Sequence, residues 1–70
     1  MEMPAIKPMT DKDIERIIKK QGWVLDRDGG RHKVFKKPGQ PKSIILRHHN
    51  GMNHQFVVKK WLNIAFGVAQ

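Results

Sequence analysis

The chain has 70 residues and is strongly basic, with 14 Lys and Arg against 6 Asp and Glu and a formal net charge of +8. A chain of this length forms one domain and buries only about 60% of its unfolded surface. It contains no cysteine, which excludes disulfides and thiolate metal sites. The charge suits a nucleic acid, an acidic protein or an anionic membrane surface. Because the excess of positive charge is far above what solubility requires, we expect a nucleic-acid or acidic-protein partner.

The N-terminal segment gives no sign of membrane targeting. No apolar run approaches the roughly 20 residues that span a bilayer, and Met1 to Met9 lacks the charged and apolar regions of a signal peptide. We therefore expect a cytoplasmic protein with no membrane partner. We predict an N-terminal tail over residues 1–9, one domain over residues 10–67 and a C-terminal tail over residues 68–70.

The first predicted helix covers residues 11–21. Thr10 is a suitable N-cap, because its hydroxyl can accept a hydrogen bond from a free backbone N–H of the first turn. Three isoleucines then follow at the i, i+3, i+4 spacing of a single buried stripe: Ile14, Ile17 and Ile18. Gly22 is predicted to end the helix in a left-handed conformation, with Trp23 folding back onto Ile18.

Three short apolar runs follow, separated by turn signals. We predict strands over residues 23–25, 32–37 and 43–47, with turns at Asp28-Gly29-Gly30 and at Pro38-Gly39-Gln40-Pro41. Turns this short favour an antiparallel meander over crossover connections.

A second helix is predicted from an N-cap at Asn53, with Met52 and Val57 packing across the cap, to Gly67. Four residues form its buried stripe: Val58, Trp61, Leu62 and Ala65. Three further apolar residues exceed one stripe and could face a partner: Phe56, Ile64 and Phe66. The predicted fold is α+β, in the order α-β-β-β-α, with two helices on one face of a three-stranded antiparallel sheet.

Several segments together resemble the HicA toxins of type II toxin–antitoxin systems. The most specific is Gly30-Arg31-His32 with Phe35 three positions after the histidine, supported by Gly22 to Leu25 and by Ile44 to His48. The resemblance covers about residues 10–49 and extends more loosely to Gly67. Family members commonly carry serine where this chain has Arg31.

The resemblance implies a fold like that of double-stranded-RNA-binding domains and a metal-independent endoribonuclease that cleaves mRNA and arrests translation. It implies His32 as the general acid/base. It also implies two partners, mRNA and an acidic HicB-like antitoxin that covers the site, and no DNA binding by the toxin on its own.

The chemistry of these residue types agrees with that implication. An imidazole can move protons near neutral pH, and fixed cations can stabilise a phosphorane. The candidate RNA-binding residues near His32 are Arg31, Lys33, Lys36, Arg47 and His48. Two alternatives stay open: His32 as an ordinary surface residue, and a non-catalytic RNA-binding module of the same fold.

A second group of histidines comprises His48, His49 and His54. Three histidines at this spacing could bind zinc. However, the chain has no cysteine and no Asp or Glu after Asp28 to complete a site, so we predict no metal and no cofactor. His48 or His49 could instead line the RNA groove. We expect Trp23 and Trp61 to anchor a core or an interface rather than to stack on bases.

Overall fold

The computed structural model describes residues 3–68. Its elements are β1 (Met9–Thr10), α1 (Asp11–Lys20), β2 (Val24–Asp28), β3 (His32–Lys36), β4 (Ile44–Arg47), β5 (Met52–Asn53) and α2 (Gln55–Ala65). Strands β2, β3 and β4 form an antiparallel sheet in that order, and β1 pairs with β5 in a separate two-stranded sheet. The α+β class and the α-β-β-β-α order are confirmed, and β1 and β5 are additions to it.

Helix α1 has the predicted caps. The Thr10 hydroxyl accepts a hydrogen bond from the Asp13 N–H at 3.2 Å. Gly22 has a φ of 95°, and the Trp23 N–H donates to the Ile18 carbonyl at 3.3 Å. This is a Schellman ending, and the helix stops at Lys20, one residue earlier than predicted.

Helix α2 begins at Gln55 rather than after an Asn53 cap, so that prediction is wrong. His54 is the N-cap, and its Nδ1 accepts from the Phe56 N–H at 3.2 Å. The Asn53 amide is used elsewhere: it donates to Asp11 Oδ1 at 2.7 Å and to the Met9 carbonyl at 3.2 Å. The tertiary contact between Asn53 and Asp11, which are far apart in the sequence, therefore overrides the local capping preference of Asn53.

The sheet also differs from the prediction at its first strand. Trp23 precedes β2, which runs from Val24 to Asp28, and its side chain is only 2% exposed. Its indole N–H donates to the Ala65 carbonyl at 3.1 Å, a group at the end of α2 that has no partner within the helix. Trp23 therefore joins the chain before β2 to the end of α2, in agreement with its predicted anchoring role.

One hydrophobic core lies between the helices and one face of the sheet. The sheet contributes Phe35, Ile44 and Leu46, and the helices contribute Ile14, Ile18, Val58, Leu62 and Ala65. The opposite face is open, since Val24 is 63% and Ile45 is 45% exposed. Neither helix among the described residues is long and apolar enough to cross a membrane.

The segment predicted as an N-terminal tail contributes to this core. Met9 is buried, and Met3 and Ile6 pack against the buried cluster. The domain boundaries at residues 10 and 67 remain predictions, and residues 1, 2, 69 and 70 of the predicted tails lie outside the described residues.

Candidate functional site

His32 and Arg47 are directly opposed on neighbouring strands. His32 is the first residue of β3 and Arg47 the last of β4, and the register pairs them. Directly opposed residues of an antiparallel pair have Cβ atoms about 4.5–5.5 Å apart on the same side of the sheet. Both side chains are exposed, so an imidazole and a guanidinium can reach one ligand together.

The backbone on either side of His32 is held by a set of local hydrogen bonds. The Gly29 N–H donates to the His32 carbonyl at 2.9 Å, and the His48 N–H donates to the Arg31 carbonyl at 2.7 Å. Asp28 Oδ1 accepts from the Gly30 N–H at 3.0 Å. Gly30 has a φ of 88°, a conformation that glycine adopts without strain. The turn thus fixes the point at which His32 enters the sheet.

A groove of about 350 Å³ runs along the free edge of β4, where α2 lies beside the sheet. Its functional side chains are His32 and Arg47 from the strands and Lys60 and Trp61 from α2; we call it the His32 groove. The Lys60 ammonium nitrogen lies 4.7 Å from the centre of the Trp61 ring. The groove therefore combines one imidazole, two cations and an aromatic surface with one carboxylate, that of Asp11.

Lys60 and Trp61 were not among the predicted site residues. Trp61 follows the apolar spacing of α2, which assigns it to the core, and the structure leaves it half-buried. Their place in the groove depends on how α2 packs against β4. Sequence spacing within the helix carries no signal for that packing.

The remaining predicted site residues fall into two groups. Arg31, Lys33 and His48 line a second cleft, next to α1. Lys36 lies four residues along β3 from His32, about 13 Å away at the usual rise of a strand, and its Nζ is 3.5 Å from Asp26 Oδ2. The structure therefore brings His32 and Arg47 together and places Lys36 apart from them.

The charge of Lys33 is partly balanced by Glu15 of α1. Glu15 Oε2 lies 3.3 Å from Lys33 Nζ, and its Oε1 lies 2.9 Å from Lys19 Nζ. Partial burial by itself raises the pKa of Glu15, but the hydrogen bonds and positive charges of the two lysines outweigh burial and lower the pKa below its ordinary value of 4.5. Glu15 therefore carries a negative charge that ties α1 to β3.

The other histidines have separate roles. The His49 Nε2 lies 3.2 Å from the Met52 carbonyl, and the His49 N–H donates to Asp11 Oδ2 at 2.7 Å. His54 caps α2. Within residues 3–68, no group of three His, Cys, Asp or Glu side chains is arranged to hold a metal ion.

A small α+β domain that places an exposed histidine beside exposed cations has the groups needed for proton transfer next to a bound phosphate. The family model of the HicA toxin of bacterial toxin–antitoxin systems matches residues 12–59. That is more than half of the chain, so the chain belongs to the HicA toxin family. None of the curated proteins and none of the solved structures compared with it gives a match.

Membership of this family makes the chain the toxin of a toxin–antitoxin pair and implies an antitoxin partner. The matched segment includes His32 and Arg47 and ends before Lys60 and Trp61. Two of the four functional side chains of the His32 groove therefore come from a part of α2 outside the family match.

Proposed function

We propose that this toxin is an endoribonuclease that cleaves mRNA in the cytoplasm and thereby arrests translation, with His32 as its general acid/base. The observation that carries the proposal is the pairing of His32 with Arg47 at the ends of β3 and β4. Cleavage of RNA without a metal needs a proton acceptor beside the reacting 2′-OH and positive charge at the phosphate. His32 supplies the first and Arg47 the second.

In the proposed reaction the 2′ oxygen attacks the adjacent phosphorus, and the bond from phosphorus to the 5′ oxygen of the next nucleotide breaks. His32 takes the proton of the 2′-OH, water protonates the leaving 5′ oxygen, and the hydroxide left by that water takes the proton back from His32. The products are a 2′,3′-cyclic phosphate and a free 5′-OH. Arg47 and Lys60 stabilise the negative charge that develops on the phosphorane, which contributes most where the cations are already fixed in place.

The His32 groove suits a single strand of RNA better than a duplex. Aromatic side chains beside cations bind single strands, because bases stack on the ring while the cations contact phosphates. Trp61 is half-buried and has Lys60 over its ring, so it is held in a fixed orientation. We assign a base next to the scissile phosphate to the Trp61 ring, where it replaces Lys60; this departs from the expectation that Trp61 anchors a core or an interface rather than stacking on bases.

The proposal is tested by comparing an RNA oligonucleotide with its 2′-deoxy analogue in excess EDTA. We expect cleavage of the RNA at the same rate with and without EDTA, a 2′,3′-cyclic phosphate on the 5′ fragment, and no cleavage of the deoxy analogue. Cleavage of both substrates, or a rate that EDTA abolishes, would contradict the mechanism. Binding of RNA without cleavage would show a non-catalytic RNA-binding module instead.

A further inference from the structure

A second cleft, of about 350 Å³, lies next to the His32 groove. Its walls are the first turn of α1, the turn at residues 29–31 and the loop at residues 48–51. We call it the loop cleft, and its basic side chains are Lys12, Arg31, Lys33, His48 and His49. Its volume is within the range of about 300–1,000 Å³ that is usual for small-molecule sites.

The loop cleft is held in shape by Asp11. Asp11 Oδ2 accepts from the His49 N–H at 2.7 Å, and its Oδ1 accepts from the Asn53 amide at 2.7 Å. The His49 ring also bonds to the Met52 carbonyl. The loop that forms one wall is thus bound to the start of α1, and the cleft exists without a ligand to order it.

The charge inside the loop cleft favours an anion. Its two carboxylates are both occupied within the protein, Asp11 by His49 and Asn53, and Glu15 by Lys19 and Lys33. Lys12 and Arg31, in contrast, form no ion pair within residues 3–68. Two unpaired cations therefore face a recess in which Glu15 is neutralised by two lysines and Asp11 is hydrogen-bonded by two neutral donors.

The loop cleft is continuous with the His32 groove, because Asp11 and Leu46 line both. Arg31 and His32 are also consecutive residues, so the two sites lie next to each other along the chain. A chain of nucleotides bound at His32 can therefore continue past Leu46 toward Arg31.

We propose that the loop cleft is a nucleotide subsite that binds the nucleotide flanking the scissile phosphate. Its phosphate contacts Arg31 and Lys12, and its base lies in the recess between α1 and the loop at residues 48–51. The position of the nucleotide relative to the cut rests on the proposed function. The affinity of the cleft for a nucleotide is independent of the proposed function, since no reaction is needed for binding.

The test uses the His32→Ala protein, which retains every residue of the loop cleft and cannot cleave by the proposed route. Each of the four nucleoside 5′-monophosphates is titrated into ¹⁵N-labelled protein, with inorganic phosphate as a separate arm. We expect changes in the backbone amide chemical shifts of residues 29–31 and 48–51. We also expect at least one nucleotide to bind more tightly than inorganic phosphate. Arg31→Ala and Lys12→Ala should each weaken that binding about tenfold.

Arg27→Ala and Lys42→Ala are the matched controls, because both residues are exposed and line neither site. We expect them to bind the nucleotide as the parent protein does. Shifts confined to the His32 groove, equal affinity for phosphate and nucleotides, or no binding would overturn the subsite. Nucleotide binding at the loop cleft, together with a wild-type protein that does not cleave RNA, would uphold the subsite and refute the proposed function.

Discussion

His32 and Arg47 stand opposite each other at the ends of β3 and β4. The pair lies at the free edge of the sheet, where α2 adds Lys60 and Trp61. A strand pairing, rather than proximity in sequence, thus creates the site, because 15 positions separate the two residues. Of the candidate RNA-binding residues, Arg47 is the one that the register places opposite His32.

Arg47→Ala is expected to lower kcat for RNA cleavage by roughly 10²-fold, since the loss of one fixed donor to a developing oxyanion commonly has an effect of that size. Arg47→Lys should restore part of the rate, because it keeps the charge but not the two-pronged geometry of a guanidinium. Steady-state cleavage of a labelled oligonucleotide measures both. Arg27→Ala removes an arginine from the other edge strand, β2, and serves as the control. If it lowers kcat as much as Arg47→Ala does, the effect comes from net charge and not from the position of Arg47.

Helix α2 leaves apolar surface beside the His32 groove, which predicts where the antitoxin binds. Phe56 is 71% exposed, and the neighbouring Val57 lines the groove. An acidic antitoxin seated there would cover His32, and complementary charge would make its capture fast and sensitive to salt. Phe56→Ala should weaken antitoxin binding at least tenfold, about 1.4 kcal/mol, with RNA cleavage unchanged.

Calorimetry with the purified antitoxin measures this effect, and the antitoxin should bind the His32→Ala protein as tightly as the wild type. Val68→Ala serves as the control, because Val68 is 44% exposed and lines neither site. An antitoxin whose complex still cleaves RNA at the full rate would refute inhibition by occlusion.

The elements with local signals could be predicted from the sequence. The Thr10 cap and the ending at Gly22 and Trp23 depend on residues within a few positions of each other, and the structure has both. The buried positions of α2 also follow its apolar spacing, with Val58, Leu62 and Ala65 buried. Of the three apolar residues of α2 beyond its buried stripe, Phe56 is exposed, but Ile64 and Phe66 pack against the core.

The features that were missed depend on long-range contacts. Asn53 lies 42 positions from Asp11, whose carboxylate its amide binds, so a local pattern assigns it to a cap instead. Strands β1 and β5 have two residues each, too few to show an alternation of polar and apolar residues. The loop cleft depends on this same Asp11 contact, and its enclosure therefore could not be read from the sequence.

Glu15→Gln is expected to reduce the loss of stability in acid. The pKa of Glu15 is lowered in the folded protein, so its charge stabilises the fold above the ordinary value of 4.5, and that contribution is lost as the pH falls through the lowered pKa. Urea unfolding at pH 7 and pH 3 should give a smaller difference for Glu15→Gln than for wild type. Lys33→Gln should give an intermediate difference, and equal differences in all three proteins would contradict this account.

His54→Asp should stabilise the protein at pH 7 by about 0.5–1 kcal/mol, because aspartate is a preferred N-cap and carries a charge that suits a helix N-terminus. The first turn of α2 has no acidic residue. Urea unfolding measures the change, and His54→Ala should be destabilising. Gln40→Asp adds the same charge in an exposed turn, so equal stabilisation by it would point to net charge rather than to capping.

The central claim is that His32 moves the proton in RNA cleavage, and the most direct measurement is kcat/KM of the His32→Ala protein on a labelled RNA. We expect a loss of about 10²–10⁴-fold, the usual effect of removing a general acid/base. Unfolding by urea and the affinity for RNA should stay as in wild type, because His32 is exposed. Cleavage by the folded His32→Ala protein at a rate near that of wild type would contradict the claim.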